Sequence, residues 1–375
     1  MTRYERFFKS EVSYLALANP EDPVLFFHPD RLEQQHEFFE THFPGLVTFA
    51  VKAQPSAEVI RILASQGMHA FDVASPAEME LVRRIVPFAT LHYNNPIRST
   101  EEIKSAIQFG VASYSIDRMA ELDKLLSLLA EPAEISVRLK LSTKGGKIDF
   151  GSKFGADEDA CIALLKRVEA AGHIPSMCFH PGTQCLDATA WVRYIAACSR
   201  ISQKADVSLK RLNVGGGFPS RRTDEQIDLR QFFTQISSAV ETAFSQAQPE
   251  LLCEPGRAMV AEAFSLATRV KTTCENQVFL NDGIYGGLSE MRDIGTSTRI
   301  SHHRNSETEF SQTKSSYTVF GPTCDSLDVL PDAIELPNNI KEGDFVIFEA
   351  MGAYSTAIAT RFNGYGDIKL IILAK

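Results

Sequence analysis

Through the first two thirds of the chain, short apolar runs alternate with amphipathic stretches. The runs are VLFFH (24–28), LVTFAVK (46–52), HAFDV (69–73), TLHYN (90–94), ASYSID (112–117), EISVRLKL (134–141), IPSMCFH (174–180), RLNVGGG (211–217) and ELLCEPG (250–256). Between them, segments such as SAEVIRILASQG, STEEIKSAIQFG and RMAELDKLLSLLA place apolar residues at i, i+3 and i+4, which predicts helices. In SPAEMELVRRIV, Ser75 is placed as an N-cap, with Pro76 at the first helical position and Glu78 three residues beyond the cap.

Nine such runs are one more than a (β/α)8 barrel needs, so the first is expected in a second domain. From about residue 265 the pattern changes. SYTVFG, DFVIFEAM and KLIILA are strands separated by turns rather than helices, which predicts a mainly antiparallel β domain. The expected division is a barrel over residues 29–264 and a β domain built from 1–28 with 265–375. An open doubly wound sheet shares the alternation, but the number of runs and the residues at their ends favour the barrel.

Composition narrows the function classes. A formal net charge of -9 on 375 residues, with no collected basic face, argues against nucleic acid or an anionic membrane as the main partner. The opening MTRYERFFKSEVSYLALANPEDP has no apolar run of signal-peptide length behind a basic start, and no segment reaches the roughly 18 apolar residues of a membrane span. Seven cysteines with no CxxC pair favour reduced thiols in a cytoplasmic setting, and the absence of HExxH leaves no metal expected.

The C-terminal mouth of such a barrel gathers its chemistry from strand ends. Here those ends carry Lys52, Asp72, Asn94, Asp117, Arg138, His180, the glycines 215–217 and Glu254. A lysine in partly apolar surroundings is freed to attack a carbonyl, which suits a Schiff base with an aldehyde cofactor; snorkelling from the rim is the alternative. The glycines of NVGGGFP let backbone N–H groups surround a phosphate, although neither a Walker A loop nor GxGxxG is present. In CEPGRAMV, Glu254 and Arg257 suit a protonated ring nitrogen and a phosphate, or else a salt bridge with each other. His180 in FHPGTQC is placed to stack on a flat ring or to sit satisfied in the core, and Thr183 offers a hydroxyl to a phosphate or to its own turn. In FGPTCDSLDVL, Cys324 and Asp325 follow a Gly-Pro turn, with Asp328 three residues later; a buried structural thiol is the plainer alternative. Tyr354 in EAMGAYSTA is a phosphate ligand or a packed aromatic.

In this order, FAVKAQP, FHPGTQ, NVGGGFP, EPGR, GPTCDSLD and MGAYS resemble the barrel-fold pyridoxal-phosphate decarboxylases, the group of ornithine and diaminopimelate decarboxylases. GSKFG (151–155) and RFNGYG (361–366) are similar to the family's as well, so the likeness runs from about Val24 to Gly366. The resemblance implies an alanine-racemase-type barrel with a β domain, and a head-to-tail homodimer that shares its active sites. It implies pyridoxal 5'-phosphate carried on Lys52, with His180 stacked on the ring and Glu254 on the ring nitrogen. The phosphate would be held by Thr183, Gly217, Gly256, Arg257 and Tyr354, with Gly216 and Pro255 alongside. Asp72, Glu78 and Arg138 would be the polar groups around the reactive carbon.

Cys324 of the partner subunit would reprotonate Cα after CO2 leaves. The sequence CDSLD is similar to the ornithine type rather than the diaminopimelate type, so Asp325 would take a distal ammonium, with Asp293 as a second carboxylate and Tyr285 beside them. The implied reaction is decarboxylation of L-ornithine or L-lysine to putrescine or cadaverine in polyamine biosynthesis. Kept beside it are a diaminopimelate-type or siderophore-pathway decarboxylase, an amino-acid racemase, which has no use for the CDSLD loop, and a catalytically inactive regulatory homologue.

Overall fold

A computed structural model describes residues 8–141 and 152–374 of the chain. The first residues of the segment weighed as a leader, and Gly151 of GSKFG, lie outside the described residues. The chain divides into two compact units.

One unit comprises residues His36–Pro219 and Asp228–Ala258. Strand β1 (Val24–Phe27) belongs to the other unit. The barrel strands are β2 (Leu46–Val47), β3 (Phe49–Ala50), β4 (Ala70–Val73), β5 (Thr90–Tyr93), β6 (Ser113–Ile116), β7 (Glu134–Leu139), β8 (Ile174–Phe179), β9 (Arg211–Asn213) and β10 (Glu250–Cys253). All their pairings are parallel, in the order β2-β10-β9-β8-β7-β6-β5-β4-β3. Only Thr48 separates β2 from β3, so the two are one interrupted strand that pairs with β10 on one side and β4 on the other. Thr48 bridges the interruption, since its N–H and Oγ1 both donate to the Cys253 carbonyl, at 3.0 and 2.9 Å. Counted so, eight strands close a (β/α)8 barrel, the predicted fold.

The helices form where their sequences put caps and apolar faces. Ser75 caps Pro76–Ile85 by accepting the Glu78 N–H, with Pro76 in the first turn. Ser99 and Glu102 make a full capping box at Thr100–Gln108. In Ala57–Ser65, the buried face is Val59, Ile60 and Leu63. Burying three such side chains stabilises the helix's position by roughly 5 kcal/mol before chain entropy is charged against it.

The other unit comprises the chain up to Gln35, Ser220–Ile227, and the chain from Met259 on. Besides β1 it holds β11 (Phe264–Cys274), β12 (Gln277–Leu280), β13 (Ile300–His303), β14 (Lys314–Phe320), β15 (Ile334–Pro337), β16 (Phe345–Glu349) and β17 (Lys369–Ile372). Most pairings are antiparallel; β1 with β17 and β12 with β14 are parallel. Strand β11 is long enough to serve two partners in turn. Its first half pairs with β1 and β16, and beyond a bulge at Val270–Thr272 it pairs with β12. Tyr14, Leu15, Val24, Phe26, Ala267, Phe345, Ile347, Ile371 and Leu373 form its core, with Phe8 against them.

Candidate active site

In the barrel unit, parallel register decides which side chains meet. Ala50 pairs with Asp72, so Lys52, two residues on in the turn Val51–Ala53, stands beside the end of β4. Its Nζ donates to Asp72 Oδ2 at 2.8 Å. The apolar surroundings expected for Lys52 are therefore absent on this side, because the neighbouring strand supplies a buried carboxylate instead. Among the described residues nothing donates to the second Asp72 oxygen. Glu78 accepts the Ala74 N–H at 2.7 Å. Burial, more than any neighbour, raises its carboxyl above the usual range.

Glu254 follows β10 and is buried. Burial pushes its carboxyl up to about 7, with the Asp72 charge adding to the rise, while Lys52, the Asn213 amide and Arg138 oppose it. Asn94 Nδ2 donates to Glu254 Oε1 at 2.6 Å, and Asn213 Nδ2 donates to the same oxygen.

His180 ends β8. Burial first, then the Arg138 and Lys52 charges, hold its imidazole well below the ordinary histidine range, so the ring is neutral. Its Nδ1 accepts the Gly182 N–H at 3.1 Å, which leaves the ring proton on Nε2. The ring lies against the glycine turn: a Cβ on Gly216 or Gly217 would meet ring atoms at 3.3 Å. Gly217 also has φ +86°, where L side chains are strained. Arg257 Nη2 donates to Thr183 Oγ1 at 3.3 Å. The Pro255 carbonyl accepts the Ala50 N–H at 3.2 Å, and a Cβ on Gly256 would come within 2.9 Å of Ala53 Cβ. This tight turn therefore packs directly on the one that carries Lys52. The Arg138 guanidinium lies 5.3 Å from the Phe154 ring centroid.

The β unit has a cluster of its own. Tyr285 Oη donates to Asp325 Oδ2 at 2.5 Å, and the Leu327 N–H donates to Oδ1 at 3.0 Å. The Tyr285 hydrogen bond, more than any other group, holds the Asp325 carboxyl below the usual range. Cys324 is exposed, and its N–H donates to Asn363 Oδ1 at 3.0 Å, so the RFNGYG turn fixes the thiol-bearing loop. Asp328 is buried and ties that loop to the Tyr285 loop by accepting the Thr323 N–H and Oγ1, at 3.0 and 2.7 Å, and the Ile284 N–H at 3.0 Å. Asp293 lies in the short helix Met291–Ile294 and pairs with its neighbour Arg292, Nε to Oδ1 at 2.9 Å. Tyr354 occupies the left-handed region at φ 53°, a conformation that costs energy in a non-glycine residue.

A family model for the pyridoxal binding domain of pyridoxal-dependent decarboxylases matches residues 29–261. The chain belongs to the pyridoxal-dependent decarboxylases. It is 32% identical over 372 residues to a lysine/ornithine decarboxylase of Selenomonas ruminantium, covering 96% of this chain and 91% of that one. It is 31% identical to antizyme inhibitor 2 of Xenopus laevis, over 93% of this chain and 81% of that one. A solved lysine/ornithine decarboxylase from Vibrio vulnificus, complexed with putrescine, superposes with a TM-score of 0.81 at 27% identity, covering 96% of each chain.

The residues of this decarboxylase fit pyridoxal phosphate. At the glycine turn a Cβ on any of residues 215–217 would come within 2.7 Å of backbone oxygens, so only bare backbone fits there, which suits N–H groups holding a phosphate, and Arg257 donates to the Thr183 hydroxyl. The neutral His180 ring and the buried Glu254 suit a planar heterocycle with a basic nitrogen, and the Lys52 amine suits its aldehyde. Among the described residues no helix is long and apolar enough to cross a membrane, and no group of His, Cys, Asp and Glu is arranged to hold a metal ion.

Asn94 stood among the strand-end residues in the sequence with no role attached, and Ser115, Asn213, Arg292 and Asn363 were not singled out. The only sequence signals for them were the Asn-Gly turn at 363–364 and polar residues interrupting apolar runs.

Proposed function

We propose that this decarboxylase acts on basic L-amino acids, L-ornithine and L-lysine, releasing CO2 and giving putrescine or cadaverine. The observation that carries the choice of substrate is the Asp325 carboxylate, oriented by Tyr285 and the Leu327 N–H on the same loop as Cys324. A carboxylate fixed in this way selects a side chain that ends in an ammonium group and discriminates against neutral or acidic ends.

Within the barrel, Lys52 would carry pyridoxal phosphate, and Asp72 holds the Lys52 amine in place. Thr183, Gly216, Gly217, Pro255, Gly256, Arg257 and Tyr354 would surround the phosphate, His180 the ring face, and Asp72, Glu78 and Arg138 the reactive end. When bound, the cofactor supplies an electron sink for the pair left behind as the carboxyl departs as CO2. Glu254 keeps a proton at the ring nitrogen. Cys324 of the partner subunit delivers the proton that completes Cα, so substrate and H⁺ give diamine and CO2. The assembly that supports this transfer is a homodimer in which each barrel receives the partner's Cys324 and the partner's Asp325. As domains, residues 29–264 would form the barrel domain and 1–28 with 265–375 the β domain, each compact unit described above falling mainly within one of them.

The relative named antizyme inhibitor favours one second reading, a regulatory homologue without turnover. The ion-paired Lys52 and the oriented Asp325 speak for the enzyme. Measuring kcat/KM for ornithine, lysine, arginine and diaminopimelate side by side separates these. Ornithine or lysine is expected to exceed diaminopimelate by at least about 100-fold; no CO2 from any of them leaves the regulatory reading standing. Shared sites are tested by mixing Lys52→Ala with Cys324→Ala. Random assortment into dimers restores up to about a quarter of the wild-type rate, and no recovery refutes sharing.

A further inference from the structure

Two amides converge on one oxygen of Glu254, and each is locked from behind. Asn94 donates through Nδ2 to Oε1, while its own Oδ1 accepts from Ser115 Oγ on β6 at 2.7 Å. Asn213 donates to the same Oε1, and its Oδ1 accepts the Gly215 N–H at 2.9 Å. Flipping either amide would set its oxygen against a carboxylate oxygen, and flipping Asn213 would also set its NH2 against the Gly215 N–H, so the two orientations are fixed. Asn94, Ser115, Asn213 and Glu254 are all buried, and Ser115 Oγ lies 3.3 Å from Cys178 Sγ. An oxygen that already receives two N–H donors has its lone pairs occupied. Any proton on Glu254 therefore sits on Oε2, to which no described residue donates.

We propose that Asn94 and Ser115 are positioning residues which, with Asn213, confine the proton of Glu254 to Oε2 and make that oxygen the one available to the cofactor's ring nitrogen. This rests on the reading above, in which Glu254 partners that nitrogen. The ionisable groups acting on Glu254 are Asp72 from β4, Lys52 beyond β3 and Arg138 from β7; Cys178 on β8 is a thiol that burial keeps neutral. Against that background the amides favour the ionised carboxylate. Removing one donor from a buried carboxylate shifts its titration upward by about one pH unit.

The test uses Asn94→Leu, which keeps the branched outline of the side chain and loses the donor, and Ser115→Ala, which removes only the hydroxyl behind the amide. Infrared difference spectra of the cofactor-free protein read the Glu254 carboxyl directly, assigned by its loss in Glu254→Gln. The expected result is a midpoint raised by about one pH unit in Asn94→Leu and by less in Ser115→Ala. In the loaded enzyme, the pH dependence of cofactor affinity moves by the same amount, and kcat falls about ten-fold while KM holds. An unchanged Glu254 midpoint in the folded variants overturns the proposal, and Ser115→Ala decides alone if Asn94→Leu does not fold. If Glu254→Gln keeps wild-type cofactor affinity and turnover, the assignment of Glu254 to the ring fails instead, while the infrared midpoints still judge the clamp.

Discussion

In the barrel unit the carboxylates at the strand ends, Asp72 and Glu254, are buried and met by donors from other strand ends. In the β unit Asp325 and Asp293 stand on a loop and a four-residue helix, accessible to water, and their partners are sequence neighbours or a single tyrosine. The first arrangement sets charge by desolvation and fixed dipoles, which hold whether or not a ligand is present. The second has geometry without a dry environment, and an exposed carboxylate discriminates weakly between ligands. It gains strength only when another surface covers it. That difference is the reason for the homodimer proposed above, in which the barrel of one protomer would cover the Cys324–Asp325 loop of its partner.

The comparison breaks most visibly at Lys52. Lys52→Ala is expected to lower turnover by at least about 1,000-fold, because no other group in the cluster supplies an amine. Borohydride reduction of the loaded wild type should leave a pyridoxyl adduct on the peptide that contains residue 52. A wild-type peptide without that adduct would remove the barrel cluster from the chemistry. Next in size is Asp325→Ala, expected to cost about 100- to 1,000-fold in kcat/KM for ornithine and lysine, mostly through KM, with cofactor binding unchanged. A uniform loss across all amino acids, or weakened cofactor binding, would place Asp325 elsewhere.

The sequence carried the barrel legibly because a strand's inward positions and a helix's apolar face have periods that survive in the text. It also carried the ends of those strands, where lysine, histidine and glutamate interrupt apolar runs. What it hid were groups defined only by register. Ser115 reads as one more small residue in ASYSID, and only the pairing of β5 with β6 brings it beside Asn94. Two parallel pairings in the β unit, β1 with β17 and β12 with β14, join segments far apart along the chain, which local pattern cannot foresee. The lock of Asn363 on Cys324 was foreshadowed by the Asn-Gly turn of RFNGYG, but its target lies 39 residues away.

Away from that loop the β unit also holds carboxylates met by fixed donors, the buried Asp328 among them and the half-buried Glu11 at its N-terminal helix. Glu11 Oε1 meets His28 Nε2 at 3.0 Å and accepts from Ser265 Oγ at 2.9 Å, and the His28 hydrogen bond above all brings its carboxyl down to about 2. A lowered carboxyl contributes stability that is present above its unfolded value of 4.5 and is lost as pH falls toward 2. Glu11→Gln should therefore flatten the loss of stability across that window and cost roughly 2 kcal/mol at neutral pH, measured by urea unfolding at stepped pH. If the variant loses stability in acid with the wild-type slope, the His28–Glu11 pair is not what anchors the N-terminal helix Glu11–Ala18.

The smallest effect is the most discriminating. Tyr285→Phe keeps the ring that lies 5.1 Å from Phe362 and removes only the hydroxyl on Asp325. Losing that donor lets the Asp325 carboxyl rise toward its ordinary value, since the Tyr285 hydrogen bond is the first cause of its depression. The acid limb of kcat/KM for ornithine then moves to higher pH, with a fall of about five- to ten-fold on the plateau from the less firmly oriented carboxylate. Arginine, whose guanidinium is longer and stays charged, should show the same displacement if the limb belongs to Asp325. A limb that stays in place while the plateau falls would mean that Tyr285 only shapes the pocket, and that the acid-sensitive group is one of the buried carboxylates of the barrel.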